Sequence, residues 1–198
     1  MKKMLKQNKG FSLVELLVAI LIMAVIAGTA IALFGGVLSS SREGADKETA
    51  ESIKRAILTY MNMSNDIDLD CLGIEDDGSS DSKDLIAKLC CTIEISNGTE
   101  GNAKKVKFTK PALGNVPGDI SEVNGGDASD INGTYGPFLD ASKELTPKTP
   151  DTQGWSIKID KDSQVVTVEA VKEADKCKVE FVTSPSPTVT QPTPIVTP

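Results

Sequence analysis

Lys9-Gly10-Phe11-Ser12-Leu13-Val14-Glu15, continued by the apolar residues 16–34, decides how this chain is organised. In the 19 residues from 16 to 34 only Gly28 and Thr29 fall outside Ala, Val, Ile, Leu, Met and Phe. A helix rising about 1.5 Å per residue nearly crosses a hydrocarbon core of roughly 30 Å over that length. Lys2, Lys3, Lys6 and Lys9 precede the run without an acid among them, which holds that end on the cytoplasmic side. Glu15 breaks the pattern. An acid at the start of an apolar span is costly unless it is paired. A cut between Gly10 and Phe11 creates an α-amine on Phe11 as a counter-charge. Phe11 and Glu15 are four residues apart and share one helical face, so each copy carries an amine and a carboxylate at matching depth, able to pair between neighbouring helices.

The basic leader, the Lys9–Glu15 heptapeptide and the apolar helix after it closely resemble the N-terminus of type IV pilins and type II secretion pseudopilins. The resemblance covers about the first 35 residues. It implies cleavage after Gly10 by a membrane prepilin peptidase, N-methylation of Phe11 and subunit docking guided by Glu15. It also implies a single-pass precursor in the inner or cell membrane with its head outside, an assembly platform, and a helical filament of this chain with other pilins at the cell surface. Many members of that family carry a proline partway along the apolar helix. This chain has none before Pro111, so any local melting is expected at Gly28, Gly35 and Gly36.

Two other readings compete for the same stretch. A cleaved secretory signal, with Ala30-Ile31-Ala32 as its cut site, has a shorter apolar core than this one. An uncut membrane anchor leaves Glu15 and the Gly-Phe junction without a purpose. At the level of function the alternatives to a pilus subunit are a pseudopilin of a secretion or competence system and a non-polymerising membrane-anchored adhesin or receptor.

The 198 residues carry 21 basic and 28 acidic side chains. Beyond the leader that leaves 17 basic against 28 acidic, a net −11, which opposes non-specific nucleic-acid binding. Histidine is absent, so the commonest general base and metal ligand is missing. With no phosphate loop, nucleophile elbow or catalytic constellation, the reading is a non-enzymatic protein that needs no cofactor. Asp66, Asp68 and Asp70 begin like a calcium loop, but Cys71 stands where the turn requires glycine. A second acidic cluster includes Asp127 and Asp130. Neither is assigned a metal.

The fold expected is α+β: a long N-terminal helix, half transmembrane and half amphipathic, packed on a small antiparallel sheet head, with a disordered tail. Residues 1–10 form the leader. Residues 11–63 form one helix, because Ile53, Ile57, Tyr60 and Met61 resume a helical spacing after the glycines and serines of 35–41. Residues 64–182 form the head. Ser82 is expected to cap a short helix reaching Cys91, and strands are expected at 105–110, 135–139, 155–159, 165–170 and 177–182. Residues 113–132 read as loop. Residues 183–198 are a Pro- and Thr-rich tail.

Cys71, Cys90, Cys91 and Cys177 are disulfide candidates, all beyond the membrane segment. Adjacent cysteines fit disulfide geometry badly, which points to Cys71 with one of Cys90 and Cys91, and Cys177 with the other. If helical, Cys90 and Cys91 diverge by about 100°. A bridge from Cys71 would also staple the long connector between helix and sheet.

Overall fold

The computed structural model describes residues 11–97, 104–112, 120, 123–125 and 131–182. Helix α1 is Leu13–Ser64, within two residues of the expected 11–63 at either end. The chain divides into two compact units, 1–44 and 45–198, and α1 contributes to both. In the first unit none of the described residues is buried. In the second, α1 buries Asp46, Ile53, Ala56, Ile57, Tyr60, Met61 and Ser64. That stripe of three- and four-residue spacings is the amphipathic face that the sequence displays.

Among the described residues the head adds α2 (Ser82–Leu89) and seven strands: β1 (Thr92–Asn97), β2 (Lys104–Thr109), β3 (Val123–Gly125), β4 (Gly133–Tyr135), β5 (Gly154–Asp160), β6 (Val165–Val171) and β7 (Val179–Val182). They form two sheets. The first, ordered β3-β2-β1-β4, is antiparallel throughout; the second, ordered β6-β5-β7, joins the β5–β6 hairpin to a parallel β7. Ile93 and Ile95 of β1, Val106 and Phe108 of β2, Ile157 and Ile159 of β5 and Val179 of β7 converge with α1 and α2 on one core.

Several local expectations are revised. Strand β1 follows α2 after only Cys90 and Cys91, so the alternation of Ile93 and Ile95 was hidden behind a helical pattern. β3 lies inside the stretch read as loop. The expected 135–139 strand stops at Tyr135, because Gly136 turns the chain with φ 76°. A Cβ there would stand 2.8 Å from the Cys91 carbonyl oxygen, so only glycine fits. Asp81, not Ser82, caps α2: its Oδ1 accepts from the Lys83 amide at 2.8 Å. Ser82 is fully buried, and its hydroxyl has no partner among the described residues. The tail from 183 to 198 lies outside the described residues, as do Asp127 and Asp130.

Asp46 is the first buried residue of α1 within the head. Its carboxylate accepts the Lys148 amide at 2.6 Å and the Thr149 amide at 2.9 Å, fixing a loop about a hundred residues away in sequence. Burial alone would raise this carboxyl, but the donors of Thr149 and Lys148 outweigh it and hold the pKa below the ordinary carboxylate value. A depressed pKa stabilises the folded state above about pH 4, the unfolded value, and that contribution fades as pH falls through the folded one. Asp46→Asn is expected to cost about 1–3 kcal/mol at pH 7. Thermal unfolding of the full chain in detergent should show that gap narrowing below about pH 4.

Candidate functional site

Seventeen large hydrophobic side chains between Phe11 and Leu38 are exposed, by 48% at Val18 to 84% at Phe11. This part of α1 is long and apolar enough to cross a membrane by length and composition. Burying each such side chain is worth about 1.5–3 kcal/mol, so the unsatisfied total is tens of kcal/mol. The local sequence favours a continuous helix. Leu, Ala, Ile and Val dominate, and Thr29 turns its hydroxyl back to the Ile26 and Val25 carbonyls at 2.9 and 3.3 Å. Gly28, Gly35 and Gly36 all lie inside α1, so the helix is unbroken at the points where melting is expected.

Ser12 opens this segment: its carbonyl accepts the Leu16 amide at 3.1 Å. Glu15 lies in the first turn of α1. There its charge complements the positive end of the helix dipole. The carboxylate is exposed and makes no ion pair or hydrogen bond among the described residues. Phe11 is the first described residue, and Gly10 lies outside them.

The other candidates sit in the head, and the structure assigns them different tasks. Asp66 is buried and is not open to solvent as a calcium ligand would be. Its Oδ2 accepts the Tyr60 hydroxyl at 2.7 Å and the Cys71 amide at 3.1 Å. Burial raises the pKa of both Asp66 and Tyr60, the signature of a network withdrawn from water. Tyr60 in turn meets Tyr135 and Phe138 edge-on, at centroid distances of 6.3 and 5.8 Å. Asp68 also has a protein partner: Lys161 Nζ stands 2.7 Å from it and 2.6 Å from Asp76, over the Phe181 ring. Lys88, nearly buried on α2, donates to the Leu72 carbonyl at 2.6 Å and pairs with Asp84 at 2.6 Å. The connector is therefore held by hydrogen bonds and charge.

All four cysteines are buried free thiols. Cys90 caps α2 and Cys91 leads into β1, so the pair is not helical as expected. Cys177 lies at the opposite end of α2, where its carbonyl accepts the Ser82 amide at 3.2 Å. Burial pushes the Cys71 thiol up to about 12 and Cys90 to about 11, values that suppress thiolate reactivity. Sequence reasoning did not single out Asp46, Lys88 or Lys161. The sequence offers no distinguishing signal: Lys161 between Asp160 and Asp162, and Asp46 beside Lys47, look like ordinary solvated charges.

The model for the prokaryotic N-terminal methylation motif matches residues 5–31. This is the class III prepilin signal of type IV pilins and pseudopilins, a structural rather than catalytic class. No curated protein and no solved structure matches the chain.

The thiols give a direct check. The native full chain is expected to react slowly with iodoacetamide at pH 8. Unfolding in guanidinium without reductant should release four alkylated cysteines, counted by mass spectrometry; two or none would show that bridges form in the exported protein.

Proposed function

We propose that this chain is a structural subunit of a type IV pilus or a related filament, made as a membrane-inserted precursor with its head outside. One observation carries the reading: the methylation motif at 5–31 overlaps a helix whose apolar side chains are exposed all round. A bilayer hides such a surface before assembly, and a bundle of equivalent helices hides it afterwards. Prepilin peptidase cuts between Gly10 and Phe11, and the new Phe11 amine is methylated.

Glu15 then pairs with the Phe11 amine of a neighbouring copy. A subunit slipped along the bundle would bury an unpaired charge, at a cost of roughly 3–5 kcal/mol, so the pair selects one axial step. Glycines 28, 35 and 36 are the positions at which the helix would yield on packing. Imaging of the surface separates long fibres, as a pilus forms, from the short pseudopilus of a secretion or competence system.

Glu15→Ala is expected to be inserted and cleaved normally but to assemble poorly, at least tenfold below the unaltered chain on the scale of a lost buried pair. Electron microscopy of sheared fibres reads the outcome, and normal fibre yield from that variant overturns the docking role. Mass spectrometry of the mature N-terminus tests the processing step. Methylated Phe11 is the expected result; an intact leader would favour a non-polymerising anchored adhesin or receptor.

A further inference from the structure

The head contains an open cavity of about 480 Å³, within the range of small-molecule sites. It lies between α2, the loop 141–147 and the start of β5. Its floor is Ile86, Cys90, Ala141, Leu145, Pro147 and Trp155. The indole N–H of Trp155 donates to the Leu145 carbonyl at 2.6 Å, which fixes that floor. The indole thereby spends its only polar group, and what faces the cavity is apolar.

The rim is charged. Lys83 and Lys143 both line it and are exposed, and neither is in an ion pair among the described residues. The one acid on the rim, Glu144, accepts the Thr146 hydroxyl at 3.2 Å. The nearby Asp140 is engaged by the amide and hydroxyl of Ser142 at 3.0 and 2.6 Å. In a chain with net charge −7, the lining of this apolar hollow carries two lysines against one glutamate, with Lys143 also acting on the neighbouring Asp140.

We propose that this cavity binds a small amphipathic anion, specifically a single-chain aliphatic carboxylate of medium length. The chain lies against Trp155, Leu145 and Ile86, and the carboxylate is held at the rim by Lys83 and Lys143. A charge-assisted contact to an ammonium group is stronger than a neutral hydrogen bond, so the head prefers the acid to the alcohol of equal length. The site belongs to the head alone and does not depend on filament assembly.

Trp155 is the only tryptophan in the chain, so its emission reports occupancy directly. The full chain in a maltoside detergent is titrated with sodium decanoate, decanol and decyltrimethylammonium. Decanoate is expected to change Trp155 emission saturably and to bind about tenfold more tightly than decanol, with decyltrimethylammonium weaker still. Lys83→Gln with Lys143→Gln, both at exposed positions, should remove the preference for decanoate while leaving decanol binding unchanged. On the unaltered chain, raised salt should weaken decanoate and not decanol. No saturable response to decanoate, equal affinity for acid and alcohol, or an unchanged preference in the double variant would each overturn the assignment.

Discussion

A helix that is apolar on every side has to be covered by something, and the first unit of this chain does not cover it. From Phe11 to Leu38 the large hydrophobic side chains stand open, at a potential cost of tens of kcal/mol in water. The bilayer and a bundle of equal helices are the two environments that remove this cost. On the proposed reading the molecule uses them in turn, and Glu15 is what makes the second more selective than the first. Hydrophobic burial has no direction, so it gathers helices without choosing their register. A charge that must find an amine at one depth does choose.

The head solves a different problem. Its long connector between α1 and α2 has to be ordered without a helix or strand of its own beyond a single short turn at Asp70–Leu72. The chain pins it at three places: Asp66 beneath Tyr60, Lys88 on the Leu72 carbonyl, and Lys161 across Asp68 and Asp76. The first two are buried and highly directional, because an unmet polar group there costs more than the bond itself returns. The third is partly exposed and contributes about a kilocalorie. Together they order the connector in the state the structure shows, with all four thiols free.

The candidate sites differ in how they answer to the sequence. Gly10, Phe11 and Glu15 form a local motif, readable as a string, and the methylation-motif match falls on the same residues. The acidic residues at 66, 68 and 70 look equivalent as a string, yet Asp66 faces inward to Tyr60 while Asp68 faces Lys161. The cavity lined by Trp155 leaves no trace in the sequence, since α2 (Ser82–Leu89) is far along the chain from the 141–147 loop and β5.

What the sequence determined by itself was everything set by short-range periodicity and composition: the extent of α1, its division into an apolar and an amphipathic half, the β5–β6 hairpin and the processing motif. Apolar spacing at 3.6 or 2 residues is a property of neighbours in the chain, so it survives without a fold. Only the tertiary structure decided the parallel pairing of β7 with β5, the separation of the strands into two sheets, the glycine demanded at 136, and the partners of Asp46, Lys88 and Lys161. Those depend on which distant segments meet. A charged side chain becomes an anchor only when the fold brings it a donor or a counter-ion and takes the water away.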